Sequence, residues 1–306
     1  MKQVILRSIK DKGYSIVAEN LIKYRLSVED LSDDLLLDLV PRSANQDEID
    51  YFFKKQLPDD NFLVKIVLSD DRDDFNRPIC KAYALIIDFE NYFKKNLLYF
   101  CSPLWNGSIN RENDDLLSET RSFTQIDPIV SPSSKILLQS ILIFKNVIIF
   151  TQNKNQRYHC KMAQFLASID VFLPRIIRSS FTIKTLVTKN SLFETNLAVI
   201  TSEELKNDSF IQKEDVFVFQ ADFNDPTILK PLKTIEFNPF VEYFFQKEKR
   251  QELEELFLLL FDNQKKFFDD SRITGQINFF EEILERYDIK LSKSSKFRNY
   301  LRKHRF

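Results

Sequence analysis

The chain has 306 residues, 43% of them hydrophobic and 29% charged, and its formal net charge is −1. This composition is typical of a folded protein with a sizeable core, and it excludes both a disordered chain and a strongly basic surface that attracts nucleic acid. The three glycines, Gly13, Gly107 and Gly275, are widely separated, which excludes a glycine-rich phosphate loop because such a loop needs several glycines in one turn.

The first part of the chain alternates strand-like and helix-like patterns. Apolar runs at residues 4–9 and 14–18 flank the turn sequence Asp-Lys-Gly and predict a β-hairpin. A helix is expected from Ser27, a capping residue, to Pro41. Residues 62–68 and 79–89 are rich in Val, Ile, Leu and aromatic side chains and predict two further strands. Together these elements indicate an α+β domain.

A polar segment rich in Pro, Ser, Asn and Asp, residues 103–132, predicts a connection to a second domain. Beyond it, Ser133 and Ser134 can cap a helix that extends to residue 143. Another helix is expected over residues 158–172, ending near Pro174. The strands expected in this α/β domain are residues 146–150, 180–187, 197–201 and 215–220.

The last third of the chain is predicted to be helical. Asn238 followed by Pro239 is a strong helix start, because Asn accepts hydrogen bonds from unpaired amides and Pro suits the first turn. Apolar side chains then recur at helical spacing over residues 253–261, which indicates a buried face. The expected organisation is a sheet domain at residues 1–102, a linker at 103–132, an α/β domain at 133–235 and a helical C-terminal segment at 236–306.

Residues that commonly carry chemistry are few. His159 does not form a dyad with the adjacent Cys160, because neighbours on a helix point about 100° apart. The cysteines, Cys80, Cys101 and Cys160, are too widely spaced for a metal site and are interpreted as buried thiols of a cytoplasmic protein. We therefore expect no catalytic residue, no metal and no cofactor. The most apolar segment, residues 136–150, is interrupted by polar side chains, so no transmembrane segment is expected either.

The densest group of carboxylates comprises Asp70, Asp71, Asp73 and Asp74. A calcium loop of the EF-hand type needs a glycine at its sixth position, and Asn76 occupies that position when the loop is started at Asp71. We interpret the group as part of a solvated loop between two strands. The alternative is an enzyme in which dispersed carboxylates form a metal-dependent hydrolase site.

The charge is distributed unevenly along the chain. Residues 28–90 contain 16 acidic and 7 basic side chains, whereas residues 286–306 contain 1 acidic and 8 basic side chains. Aromatic residues are interleaved with the basic ones in this tail, as in some surfaces that bind single-stranded nucleic acid. Their spacing fits a helix face better, so we expect a protein partner and no nucleic acid. The candidate partner-binding residues are Lys296, Arg298, Arg302 and Arg305.

Three segments resemble a known family. They are GYSIVAENL at residues 13–21, together with Gln3 before it, the segment from LPDDNF to DFENY at residues 57–92, and FLASIDVFLPRIIRSSFTIKT at residues 165–185. Within the second segment, Asp74 and Arg77 precede a long hydrophobic run. This pattern is similar to the N-terminal region of the GTPase-associated proteins of prokaryotes, whose longin-like and DENN-like architecture is linked to small or regulatory GTPases.

The resemblance implies a longin-like sheet domain, then a DENN-like α/β domain and a helical C-terminal segment. It implies a non-catalytic regulator or adaptor that binds a GTPase or a companion subunit and has no nucleotide site of its own. On this interpretation, the apolar sheet edges and the basic tail contact the partner.

Charge reversal tests the role of the basic tail. We expect the combined substitutions Lys296→Glu, Arg298→Glu and Arg302→Glu to abolish capture of the protein partner from cytosol, because like charges then face the partner surface. Circular dichroism checks that the variant is folded. A folded variant that captures its partner as the wild type does would exclude the tail from the interface.

Overall fold

The computed structural model describes residues 1–9, 13–20, 50–57, 61–72, 78–109, 115–117, 122–186, 195–201, 215–246 and 250. In chain order, the elements are strands β1 (Lys2–Ile9), β2 (Gly13–Asn20), β3 (Tyr51–Leu57), β4 (Asn61–Arg72) and β5 (Pro78–Asp88), helices α1 (Phe89–Trp105) and α2 (Pro132–Ile143), strand β6 (Asn146–Phe150), helices α3 (Gln156–Phe172) and α4 (Arg175–Ser180), strands β7 (Ile183–Lys184), β8 (Leu197–Ile200), β9 (Val216–Ala221) and β10 (Leu229–Pro231), and a 3₁₀ helix (Pro239–Phe245).

All ten of these strands belong to one sheet, in the order β10-β9-β6-β8-β7-β3-β4-β5-β1-β2. Strands β1 to β5 pair antiparallel, and β7, β8, β6 and β9 pair parallel. An antiparallel pairing of β3 with β7 joins the two groups. The sheet is therefore mixed, and the predicted α+β class is confirmed. Both groups share one sheet, and the proposed division into domains stays a prediction.

Strands β1 to β5, which we call the antiparallel half of the sheet, form because they carry apolar side chains on both faces. In β4, Val64 and Ile66 point to one buried cluster, while Leu63 and Val67 point to another. Successive side chains of a strand face opposite sides, so this continuous apolar run fits a strand covered on both faces. The predicted hairpin is confirmed, with Ile9 paired to Gly13 at its turn end. The predicted helix from Ser27 to Pro41 lies outside the described residues.

The sequence analysis missed helix α1. The predicted strand over residues 79–89 ends at Asp88, where a carboxylate oxygen accepts the N–H of Asn91 at 2.9 Å and caps the helix. The helix is kinked at Asn96, which has φ 66° and ψ 170°. The side chain of Asn96 accepts the N–H of Tyr99 at 3.3 Å and so starts the second part of the helix. Helix α1 ends at Trp105, inside the segment predicted as a linker.

In the other half of the sheet, strands β6 to β10, which we call the parallel half, the structure differs from two local predictions. Helix α2 is capped by Ser131, which forms a capping box with Ser134, so Ser133 and Ser134 are not the cap. The predicted strand over residues 180–187 is only the two-residue β7, because residues up to Ser180 form α4 and Leu186 adopts a left-handed φ of 59°. Strands β6, β8 and β9 and helix α3 lie where they were predicted. Strands β3 and β10 were not predicted.

Helices α1, α2 and α3 cover one face of the sheet. Their buried side chains, which include Phe100, Leu137 and Phe165, form one apolar cluster with strands from both halves, such as Phe62 of β4 and Phe217 of β9. Burial of apolar area at about 25 cal/mol per Å² is the main stabilising contribution of such a cluster. The halves are therefore held together by a common core as well as by the β3–β7 pairing.

A buried lysine lies where the two halves meet. Lys54 of β3 is fully buried, and its ammonium donates hydrogen bonds to the carbonyls of Arg178 and Phe181 at the end of α4. The same ammonium lies 3.3 Å from Oδ1 of Asp170 on α3. The other oxygen, Oδ2, accepts a hydrogen bond from Tyr92 of α1 at 2.6 Å. These contacts tie β3, α1, α3 and α4 together, and we call Lys54, Asp170 and Tyr92 the junction cluster.

Burial changes the acid–base properties of the junction cluster. Loss of hydration lowers the pKa of Lys54 to about 8, although attraction to Asp170 opposes the shift. Burial and the neighbouring Asp170 carboxylate raise the pKa of Tyr92 well above its ordinary value. At neutral pH, Lys54 is therefore protonated and pairs with Asp170, while Tyr92 keeps its proton and donates it to the same carboxylate.

We expect Lys54→Met to lower the free energy of unfolding by about 3–5 kcal/mol, because it leaves the Asp170 carboxylate buried without its counter-ion. The matched control is Lys161→Met, which removes a half-exposed ion pair with Asp225 and is expected to cost less than about 1 kcal/mol. Urea denaturation measures both. Equal losses in the two variants would mean that the junction cluster does not hold the halves together.

The pKa of Lys54 also predicts how the difference in free energy of unfolding between the wild type and Lys54→Met depends on pH. Between pH 8 and 10.5, Lys54 holds its proton in the unfolded chain but loses it in the folded one. The unfolded state then binds more protons, so the contribution of Lys54 to the free energy of unfolding rises with pH. We expect the free energy of unfolding of the wild type to rise relative to that of Lys54→Met between pH 8 and 10. The tyrosines of the unfolded chain remain protonated over this range. A difference that falls over this range would contradict the assignment.

Candidate functional site

The exposed apolar side chains gather at one edge of the sheet. Six large hydrophobic residues of the described part of the chain are exposed, and all but Phe89 lie beside strand β10 or the segments next to it. The five, with their exposed fractions, are Val130 (58%), Phe223 (59%), Ile228 (53%), Leu232 (43%) and Phe237 (37%). We call these five residues the β10 edge surface.

The loop between β9 and β10 explains why Phe223 and Ile228 face solvent. A carboxylate oxygen of Asp222 accepts the N–H groups of Asn224 and Asp225 at 2.9 and 3.0 Å. The Asp225 carboxylate in turn accepts the N–H and hydroxyl of Thr227 at 2.9 and 2.8 Å. Such side chain to backbone bonds define tight turns at Asp residues. The two turns satisfy the loop backbone internally, which leaves the apolar side chains between them exposed.

Helices α2 and α3 anchor this loop. Ser131, next to Val130, donates its hydroxyl to the carbonyl of Thr227 at 2.8 Å. Tyr158 of α3 donates to the carbonyl of Asp222 at 2.7 Å, and Asn153 donates to that of Phe223 at 2.6 Å. The exposed side chains thus project from a backbone that is held at several points.

Further along the edge, one glutamine positions Phe237. Gln139 of α2 is buried, donates to the carbonyl of Glu236 at 2.6 Å and accepts the N–H of Asn238 at 2.9 Å. The residues on both sides of Phe237 are therefore bound to the same side chain. This double contact fixes the backbone and keeps the ring at the surface.

Strand β10 is poorly suited to pairing with a further strand. The N–H of Leu229 donates to the hydroxyl of Ser133 at 2.7 Å, and Pro231 has no N–H. A sheet edge that lacks available N–H groups cannot extend a hydrogen-bond ladder. Recognition at this edge therefore depends on side chains, not on the addition of a strand.

A cavity of about 480 Å³ adjoins the edge surface. It lies just after the carboxyl ends of β6 and β9. In the sheet, β6 has β8 on one side and β9 on the other, so the direction of the strand order reverses at β6. Ligands of α/β sheets commonly bind at this kind of position. The cavity is lined by Gln152, Gln220, Asp222, Phe223, Ile228 and Lys230.

Two ionisable groups that hold the loop beside the cavity, Tyr158 and Asp225, have shifted pKa values. Burial, together with the carboxylates of Asp222 and Asp225, raises the pKa of Tyr158 to about 12, although a hydrogen bond with Thr151 opposes the shift. Burial acts to raise the pKa of Asp225, but hydrogen bonds from Thr227 and attraction to Lys161 outweigh it and lower that pKa. These groups are suited to holding the loop in place, not to transferring protons.

The residues predicted from sequence lie elsewhere. Lys296, Arg298, Arg302 and Arg305 lie outside the described residues, as do Asp73 and Asp74. Asp70 and Asp71 belong to strand β4, so this part of the predicted loop is wrong: the strand continues to Arg72, which pairs with Pro78 after an irregularity in the register.

His159 is buried, with Nε2 2.6 Å from the carbonyl oxygen of Asn153. Cys80 and Cys101 are buried, but Cys160 is only half-buried, because it lies on the outer side of α3. Within the described ranges, no three His, Cys, Asp or Glu side chains are placed to hold a metal ion. Nor does any helix of that part of the chain have the length and hydropathy to cross a bilayer.

Sequence analysis missed the β10 edge surface because exposure of an apolar side chain is not visible in a pattern. The available signal was the segment Asp222 to Thr227, in which two Asp, one Asn and one Pro accompany a single aromatic residue, Phe223, a composition typical of turns.

The anchoring of β10 can be tested with Ser133→Ala. We expect a loss of about 1–3 kcal/mol in the free energy of unfolding, because the buried N–H of Leu229 loses its acceptor. Ser180→Ala is the control, since Ser180 is exposed and its change is expected to stay within about 0.5 kcal/mol. Urea denaturation compares the two, and similar values would show that Ser133 does not anchor the edge.

No family model matches this chain, and no curated protein matches its sequence. A functional conclusion therefore depends on the residues of the site and on the physical chemistry of the surface that they form.

Proposed function

We propose that this protein is a non-catalytic regulator or adaptor that binds a small or regulatory GTPase, or a companion subunit, through protein–protein contacts. The observation that carries the proposal is the concentration of exposed apolar side chains on the β10 edge surface. Scattered exposed apolar residues are ordinary, but several at one edge of a sheet, two of them lining the same cavity, are typical of an interaction site.

The size of the surface suits a protein partner. An aromatic side chain has about 150–250 Å² of surface, so the two phenylalanines, 59% and 37% exposed, present on the order of 200 Å², to which Val130, Ile228 and Leu232 add. Apolar patches of a few hundred Å² on single chains are often functional. A standard interface covers about 800 Å² on each partner, so this patch has the size of an apolar centre that polar residues surround.

The arrangement of residues also resembles a binding surface. Phe223, the most exposed of the five, lies beside the polar side chains of Asp222, Asn224 and Lys230. Interfaces commonly place an aromatic anchor at the centre and polar groups at the rim. Because turns and helix contacts already order the loop, binding loses little conformational entropy.

The class of partner comes from the sequence resemblance. We propose that the antiparallel half corresponds to the longin-like domain and the parallel half to the DENN-like domain. The order of the two halves along the chain supports this correspondence. In this proposal, Lys296, Arg298, Arg302 and Arg305 extend the contact with the partner. A cytoplasmic location agrees with the free cysteines Cys80, Cys101 and Cys160, because reducing compartments maintain thiols.

Affinity capture with the tagged 306-residue chain tests this function. Native cytosol is supplied with GDP or with a non-hydrolysable GTP analogue, and bound proteins are identified by mass spectrometry. We expect a GTPase to be enriched in one nucleotide state. The double variant Phe223→Asp, Ile228→Asp is expected to lose it, since charged side chains then occupy the apolar centre of the interface.

The matched control is Lys145→Asp, which places a carboxylate at the opposite end of β6, on an exposed residue. This control is expected to capture the GTPase as the wild type does. Absence of a GTPase in both nucleotide states would refute the partner class. A GTPase that the double variant still captures would instead exclude the β10 edge surface.

A further inference from the structure

The cavity of about 480 Å³ beside the β10 edge surface is lined by polar groups that the fold does not use. Among the described residues, neither the ammonium of Lys230 nor the side-chain amide of Gln220 takes part in a hydrogen bond or ion pair. The carboxylate of Asp222 accepts two turn N–H groups with Oδ1, and its Oδ2 has no partner in that part of the chain. An ammonium, an amide and a carboxylate oxygen are therefore left for a ligand.

The strand register places these groups on one side of the sheet. Lys230 of β10 lies directly opposite Gln220 of β9. Asp222 follows Gln220 by two residues, and its N–H still donates to the chain that leads into β10 at 2.9 Å. Side chains alternate between the faces of a strand, so these three share a face. Their neighbours Ala221 and Leu229 belong to the core under the helices, so the polar groups project from the opposite face.

The two charges suit one small zwitterionic ligand. Lys230 and Asp222 are diagonal neighbours, whose Cα atoms lie about 7–8 Å apart in antiparallel pairs. They do not form an ion pair with each other. A ligand that carries a carboxylate and an ammonium on the same carbon atom can bridge them. Because one positive and one negative charge line the cavity, a zwitterion is favoured over a multiply charged anion.

The remaining wall of the cavity is apolar. Phe223 and Ile228 line it and are 59% and 53% exposed, so an apolar group placed against them removes their surface from water. The turns on both sides already order this wall, which keeps the entropic cost of binding low. Sites for small molecules combine apolar walls with a few polar groups in volumes of about 300–1,000 Å³, and this cavity lies at the lower end of that range.

We propose that this cavity binds a free α-amino acid with an apolar side chain, such as leucine or phenylalanine. The carboxylate of the ligand accepts hydrogen bonds from Lys230 and Gln220, and its ammonium donates to Oδ2 of Asp222. Such charge-assisted hydrogen bonds are roughly twice as strong as neutral ones. The side chain of the ligand packs against Phe223 and Ile228.

This site goes beyond the proposed regulator function, because it needs no partner protein. It shares Phe223 and Ile228 with the β10 edge surface, so a bound amino acid changes the apolar area that a partner meets. The experiments below use the chain alone. A negative result there leaves the GTPase partner to be decided by affinity capture.

Thermal unfolding of the 306-residue chain at neutral pH tests the site. L-leucine and L-phenylalanine are each compared with glycine, a zwitterion without an apolar side chain, which corrects for the general effect of such solutes. We expect at least one of the two to raise the midpoint by roughly 2 °C or more above glycine at saturation, because a ligand that binds only the folded state stabilises it.

Two analogues of the stabilising amino acid test the two charges separately. Its amide lacks the carboxylate, and its deaminated acid lacks the ammonium, while both keep the apolar side chain. We expect each analogue to lose most of the rise, since each leaves one charge of the cavity without a partner.

Two variants test the residues. Lys230→Met keeps the aliphatic stem of an exposed side chain and removes the ammonium. Asp222→Asn keeps an oxygen that can accept the two turn N–H groups and removes the charge. We expect each variant to lose most of the rise. Lys145→Met, at the opposite end of β6 on an exposed residue, is the control and is expected to show the full rise.

Three results would overturn the proposal. One is a wild type that neither amino acid stabilises beyond glycine. Another is a full rise in Lys230→Met or in a folded Asp222→Asn, since the charge removed would then not contact the ligand. The third is an amide or a deaminated acid that stabilises the chain as much as the amino acid does. If Asp222→Asn does not fold, Lys230→Met and the two analogues still decide the outcome.

Discussion

The structure depends on how one ammonium group is accommodated inside the protein. Lys54 reaches from the antiparallel half into the parallel half, where the carbonyls that end α4 and the carboxylate of Asp170 receive it. A buried ammonium is tolerated only with such complete coordination, so β3, α3 and α4 must keep their relative positions. Tyr92 adds α1 to the same arrangement through the second oxygen of Asp170.

The surface that we assign to binding lies away from this junction. On one side, the sheet continues through β8, β6 and β9 to β10, where turns and helix contacts hold apolar side chains in solvent. The β10 edge surface suits the apolar side chains of a protein partner.

Several elements were predictable because their signals are local. The hairpin of β1 and β2 follows from a turn sequence between apolar runs, and strand β6 and helix α3 follow from period and capping residues. Other elements depended on distant contacts. Strand β7 was predicted too long because α4 occupies the residues before it, and β3 was overlooked because its lysines at residues 54 and 55 interrupt the apolar pattern. Lys54 is polar in sequence yet buried in the structure, since its partners come from residues more than a hundred positions away.

Taken alone, the sequence determined the α+β class, the absence of a glycine-rich phosphate loop and most strands of the parallel half, because composition and short-range periodicity decide these properties. It also suggested a class of partner through its resemblance to a family. Only the tertiary structure decided which apolar residues remain exposed at β10 and which carboxylate pairs with Lys54. Exposure and charge pairing are determined by chain segments that are distant in sequence and meet only in the folded protein. A local sequence pattern does not show which distant residue a side chain will contact.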